Sequence, residues 1–246
     1  MKTPICLWSG PRNVSTALMY SFAQRDDIRV VDEPLYGHYL RVSGADHPGR
    51  DAIIASMNCD GAAVMRELLA RQQQNPSIRL FQKHMAHHLV GLDLGFLRDT
   101  SNIFLIRNPR DMLPSLTIQL PNATLDDTGL KRQWQIYTDL RAAGQTPAIL
   151  DSRELLLDPA GVLVKLCEHL GLDFDPRMLH WDAGPLAEDG IWAPHWYHVV
   201  HQSTGFAPYK SKNGFPDNLL GLLGDCQPWY DKLYTNVLLG SAHGDQ

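Results

Sequence analysis

The chain has 246 residues, 44% of them hydrophobic and 20% charged, with a formal net charge of −5. Such proportions belong to a folded protein with a sizeable core, one domain or at most one domain plus a small subdomain, and they exclude disorder as the default outside residues 241–246. The acidic balance excludes a general nucleic-acid binder while leaving room for a local basic pocket, and no apolar run has the length of a membrane span or a signal-peptide core.

The first apolar run, residues 5–8, leads straight into Ser9-Gly10-Pro11-Arg12-Asn13-Val14-Ser15-Thr16 and then into a helical pattern over 17–24. A strand that turns through Gly and Pro into a helix aims backbone N–H groups and a positive dipole end at one spot, which suits a phosphate. The nucleotide-hydrolase pattern G-x-x-x-x-G-K-[ST] is not met, since a second Gly and the Lys are missing. Arg12 is the loop's only cation, and a guanidinium holds phosphate or sulfate bidentately where Lys acts as a point charge. A plain strand-to-helix turn capped by Ser9 or Ser15 is the competing reading.

Further apolar runs follow at 28–31, 79–82, 102–106 and 148–150, separated by amphipathic stretches over 51–73, 109–119, 129–143 and 159–170. This alternation predicts crossover units, a mainly parallel sheet and a three-layer α/β/α sandwich. Ligands of such sheets bind at the carboxyl ends of the strands. There the chain carries the Arg12 loop, Asp32-Glu33-Pro34, Lys83-His84, Arg107-Asn108-Pro109-Arg110-Asp111 and Asp151-Ser152-Arg153. Ionisable groups at every strand end point to a site rather than to scattered surface charge.

Residues 181–216 read as a loop-rich lid or acceptor-facing segment, with Trp181, Trp192, Trp196 and several Gly, Pro and His residues. Together with Tyr36, Tyr39 and Tyr197 they suggest a partly apolar small-molecule acceptor. His84, His87 and His88 have the spacing of one helix turn, yet no Cys or carboxylate is paired with them and no metal is expected. His195, His198 and His201 share helical spacing and suit a pocket wall or packing beneath the lid. No repeat or clean linker divides the chain, so residues 1–246 read as one domain. Cysteines 6, 59, 167 and 226 form no C-x-x-C pair, as expected of reduced thiols in a cytoplasmic protein.

Phe104-Leu105-Ile106-Arg107-Asn108-Pro109-Arg110-Asp111 continues to Ser115, giving R-N-P-x-D-x-x-x-S with Pro at a helix start. This resembles the 3′-phosphate-binding motif of sulfotransferases that use 3′-phosphoadenosine 5′-phosphosulfate. Gly10 to Thr16 resembles the P-[KR]-S-G-T-T loop that receives the 5′-phosphosulfate in that family. Asp151-Ser152-Arg153-Glu154-Leu155-Leu156, with Asp158-Pro159 and Leu170-Gly171-Leu172, resembles the family's Y-E-D-L-L-x-D-P and F-L-G-L segments. The three stretches come in the family's order. Asn13-Val14 stand where the family has Ser-Gly, the Tyr of the third segment is absent, and Lys210 and Lys212 are the nearest substitutes for the R-K-G-x-x-G segment.

The resemblance implies a P-loop-like fold and transfer of a sulfuryl group from 3′-phosphoadenosine 5′-phosphosulfate to a hydroxyl or amine. Gly10, Pro11, Arg12, Asn13, Val14, Ser15 and Thr16 would bind the 5′ end, with Arg12 also stabilising the leaving group. Arg107 and Ser115, joined by Lys210 and Lys212, would hold the 3′-phosphate. Two residues compete as general base: Glu33, matching a Glu used by branches that act on sugar chains or protein tyrosine, and His84, which follows Lys83 as in cytosolic small-molecule members. Glu33 is favoured, because a carboxylate after a buried strand has its pKa raised by desolvation, although it could instead pair with Arg12. Lys83 would reach toward the sulfate. A non-catalytic nucleotide-binding module of the same fold, or a P-loop kinase or triphosphatase, are the alternatives, and the oligomeric state is not legible.

Overall fold

A computed structural model describes residues 2–211 and 214–240; Lys212, one of the expected phosphate ligands, and residues 241–246 lie outside the described residues. Five parallel strands, β1 (Ile5–Ser9), β2 (Ile28–Asp32), β3 (Arg79–Met85), β4 (Ser101–Ile106) and β5 (Ala148–Asp151), pair in the order β2-β3-β1-β4-β5. The central strand β1 is buried along its whole length, as expected where helices cover both faces of a sheet. Each strand lies where an apolar run placed it. The fold is the P-loop-like three-layer sandwich.

Alternation along the strands sorts side chains into two cores. Ile5 and Leu7 of β1, Phe81 of β3 and Ile103 and Leu105 of β4 pack with α1 (Ser15–Ala23) and a later helix, Pro159–His169, on one face. Cys6, Trp8 and Phe104 pack on the other face, against α4 (Gly61–Gln74), α5 (Pro109–Gln119) and the helices Leu130–Ala142 and Leu220–Tyr234. The amphipathic stretch at 51–73 is not one helix. It divides into α3 (Arg50–Ser56) and α4, because Asp60 caps the second helix by accepting from Ala63 N, and the intervening residues 57–60 leave the helical conformation.

A third cluster sits over the sheet's carboxyl end. Tyr36, Tyr39 and Leu40 of α2 (Tyr36–Ser43) and Ile53 of α3 pack against Trp192, Ala193 and Tyr197. Residues 192–197 thus pack onto α2 and α3 with buried aromatics, and the described helical pieces nearby are the single turns Ala193–Trp196 and His198–His201. Because the helical pattern breaks between those turns, the three histidines do not form one stripe: His195 and His198 are exposed, while His201 Nε2 lies 2.9 Å from Asp189 Oδ2.

Candidate active site

The loop after β1 is drawn tight by its own side chains. Asn13 Nδ2 donates to Leu105 O at 3.1 Å, tying the loop to the end of β4, and Asn13 Oδ1 accepts from Ser15 N at 3.0 Å. Gly10 sits so close to Thr128 that a Cβ would come within 2.4 Å of its carbonyl oxygen. Arg12 has φ 55°, a left-handed conformation that non-glycine residues adopt at a cost of about 1–3 kcal/mol. Neither serine caps α1. Val14 occupies the N-cap without a side-chain bond, and Ser9 Oγ turns back to Gly10 O at 2.9 Å. Asn13 thus takes the N–H of Ser15, the first residue of the helix, and the N-cap side chain leaves the N–H groups that follow it in the first turn without a capping bond, the arrangement that receives an anion.

The end of β4 joins this loop directly. Asn108 caps α5 by accepting from Arg110 N, and Pro109 begins the helix without forfeiting a hydrogen bond. Arg107 Nη1 donates to Arg12 O at 2.6 Å, and Arg12 Nε donates to Ser115 Oγ at 3.0 Å. Two segments about a hundred positions apart therefore share one wall of a cavity of about 330 Å³, into which Pro11, Arg12, Asn13, Val14, Ser15, Thr16, Arg107 and Ser115 all face. Burial lowers the pKa of both guanidiniums, and Arg107 is lowered further by Arg12. Desolvated cations side by side are stabilised by a bound anion.

Glu33 also lines this cavity. With φ 38° it is, beside Arg12, the other described non-glycine residue in the left-handed region; its N–H is held by Lys83 O at 2.9 Å. Lys83 Nζ donates to Asp32 Oδ1 at 2.8 Å and to Glu33 Oε1 at 2.7 Å, and it also contacts the Tyr197 hydroxyl. Tyr197 OH donates to Asp32 Oδ2 at 2.8 Å and accepts from Trp192 Nε1 at 3.1 Å. One cation thus serves two buried carboxylates. Burial raises the pKa of Glu33, Lys83 opposes that and Asp32 adds to it; the net direction is upward. Burial acts to lower the pKa of Lys83, but Asp32 and Glu33 overcome it and hold the ammonium charged. The partner of Glu33 is Lys83 rather than Arg12.

Several sequence expectations are corrected here. β3 runs on to Met85, so Lys83 and His84 lie inside the strand and point to opposite faces. His84 stacks on Trp8 at 4.3 Å between ring centroids, its Nε2 lies 3.1 Å from Gln82 Oε1, and burial pushes its pKa down to about 3. It is fully buried and does not line the cavity. Lys83 is completely buried beneath Glu33 and Tyr197, so its position supports the carboxylates instead of reaching toward a sulfate. Gly10 packs beneath the loop rather than in the cavity wall, and Lys210 is exposed and away from that wall.

His87 and His88 stand in a separate 3-10 turn, Ala86–His88, and do line the cavity, with Tyr36, His47, Asp127, Trp196 and Tyr197. Sequence reasoning did not single out His47, Asp127 or the Tyr197–Asp32–Lys83 links. Nothing local marks them, because they meet only once α2, the turn after β3 and the segment near 190 are folded together. Among the described residues no cluster of His, Cys, Asp or Glu is arranged to hold a metal.

Residues 2–234 match the family described as Sulfotransferase domain. The chain belongs to the sulfotransferase family. Among curated proteins this sulfotransferase-family chain is similar to branched-chain-amino-acid aminotransferase-like protein 2 of Arabidopsis thaliana, 42% identical over 234 residues, covering 94% of this chain and 41% of that protein. The corresponding protein 1 is 41% identical over 237 residues, covering 96% and 42%. The chain spans about two-fifths of the length of these relatives. Among solved structures, the sulfotransferase domain of the Synechococcus PCC 7002 olefin synthase superposes with a TM-score of 0.56 at 17% identity, covering 92% of this chain and 95% of that one. A sulfotransferase from Alicyclobacillus acidocaldarius gives 0.51 at 15% identity, covering 96% of both chains. These likenesses are of fold.

Proposed function

We propose that this chain is a cytoplasmic enzyme, folded as one domain, that moves a sulfuryl group from 3′-phosphoadenosine 5′-phosphosulfate to a hydroxyl or amine of a small molecule. The observation that carries the reading is the junction of two anion sites in one cavity, Arg12 bound to Ser115 and Arg107 bound to the Arg12 carbonyl. A ligand with anionic groups at both the 5′ and 3′ ends suits such a junction better than a nucleoside triphosphate, whose charges lie on one side. The start of α1, whose N-cap Val14 makes no side-chain bond, and two desolvated guanidiniums fit such a donor. The departure at Asn13 is consistent with it, since that side chain braces the loop from within. Four free cysteines support a reducing compartment.

The roles follow from chemistry. When bound, the donor supplies the sulfuryl group and a phosphate that departs as an anion. Arg12 and the free backbone N–H groups of the loop and helix start would stabilise the charge that grows on the departing oxygen, the dominant need of a loose transfer. Arg107 and Ser115 would hold the 3′-phosphate. Glu33, at the cavity surface, would take the proton from the acceptor, and Lys83 would orient it through a 2.7 Å bond. Tyr197 and Asp32 would fix Lys83 in turn.

Release of 3′-phosphoadenosine 5′-phosphate from labelled donor tests the reading. Turnover is expected in the native chain, and Glu33→Gln is expected to lower it by ~10²–10⁴-fold with donor affinity retained. Full activity in that variant would remove Glu33 as the base.

A further inference from the structure

Charge in the cavity lining is grouped by residue. Arg12 and Arg107, the only Lys or Arg side chains lining it among the described residues, are joined through the Arg12 carbonyl. A second group of lining residues holds Glu33 and Asp127 with Tyr36, His47, His87, His88, Trp196 and Tyr197 and contains no Lys or Arg, Lys83 lying buried behind Glu33. Its rings are set by mutual packing: His88 stacks on Tyr36 at 4.9 Å and 11° and on Tyr39 at 4.6 Å, while Trp196 lies 6.3 Å from His47. Tyr36 OH lies 2.8 Å from His47 Nδ1. The Nδ1 atoms of His87 and His88 are buried without a hydrogen-bond partner among the described residues.

The imidazoles do not supply positive charge at neutral pH. Burial lowers His87 to about 4, assisted by His47, and lowers His47 and His88 as well. A wall of neutral rings and carboxylates repels an acidic acceptor and attracts an ammonium group, through ring faces and through charge.

Resting on the reading of the preceding subsection, we propose that the acceptor is a cationic amino alcohol, whose ammonium or quaternary ammonium group docks against the aromatic and Asp127 wall and whose hydroxyl meets Glu33. The transfer balances simply. The acceptor O–H bond breaks as Glu33 takes the proton, an S–O bond forms to that oxygen, and the bond from sulfur to the donor's bridging oxygen breaks with its electrons left on the departing phosphate. A cation in the same cavity also opposes the effect of burial on Glu33, favouring the ionised form that accepts the proton.

The test compares choline with its neutral isostere 3,3-dimethylbutan-1-ol, which has the same shape and hydroxyl without the charge. Binding of each is measured by calorimetry, with the Trp196-containing wall read by tryptophan fluorescence, on the chain alone and on the chain loaded with 3′-phosphoadenosine 5′-phosphate. Choline is expected to bind at least roughly tenfold more tightly than the isostere, and Asp127→Asn, which keeps a side-chain oxygen for the Thr124 N–H, to shrink that margin several-fold while leaving nucleotide binding unchanged. Equal or stronger binding of the neutral alcohol, or binding of neither, overturns the inference. Failure of the nucleotide to bind overturns the donor assignment instead, and the choline margin on the unloaded chain still decides the character of the wall.

Discussion

Glu33 holds a left-handed backbone and a buried carboxylate that shares the Lys83 ammonium with Asp32. Two negative groups against one ammonium cannot both be fully compensated, so the pair takes up a proton more readily than a lone surface carboxylate does. The consequence is a pH dependence of definite sign. In the proposed reaction Glu33 works ionised, so kcat/KM is expected to rise with pH through an apparent pKa above the ordinary carboxylate range, and to fall on the acid side. A profile flat through that region, measured with saturating donor, would contradict it. The same upward shift means that the stability contribution of Glu33 is present at low pH and is lost as pH rises through its folded pKa. Asp32-Glu33 was legible in the sequence as a strand-end acidic pair. The Tyr197 link was not, since it spans more than 160 positions and no local pattern announces it.

At the scale of elements, strand positions were readable because fully buried parallel strands are continuous apolar runs, and these runs lie where β1 to β5 form. What misled was the end of β3. Lys83 and His84 read as loop residues sharing one site, but the strand continues through both, and the period of two sends them to opposite cores. His84→Phe is accordingly expected to keep donor turnover, with a stability change below about 1.5 kcal/mol measured by chemical denaturation; loss of turnover with the fold intact would return His84 to the site. The β1–α1 loop makes the converse case. Gly10 was legible as a loop glycine, and the structure gives the reason, the Thr128 carbonyl 2.4 Å from any added Cβ. Gly10→Ala is expected to cost about 1–3 kcal/mol and to weaken anion binding by distorting the cradle. Unchanged melting and nucleotide affinity would show that the contact relaxes freely.

Across the whole molecule, the sheet brings five strand ends to one side, and the segment near 190 packs its aromatic side chains over them. Motif spacing made the Arg12 and Arg107 segments legible because each is a local strand-turn-helix unit, whose capping and dipole chemistry is written within a few residues. The aromatic group of lining residues is assembled from α2, the turn after β3 and the segment near 190, so only tertiary packing defines it. The central claim is that the two anion sites act together on one ligand, and parallel calorimetric titrations test it most directly. Without magnesium, 3′-phosphoadenosine 5′-phosphate is expected to bind more tightly than ATP, and Arg107→Ala is expected to erase that preference. Equal or ATP-selective binding, or an Arg107→Ala variant with undiminished affinity for the bisphosphate, would contradict the account.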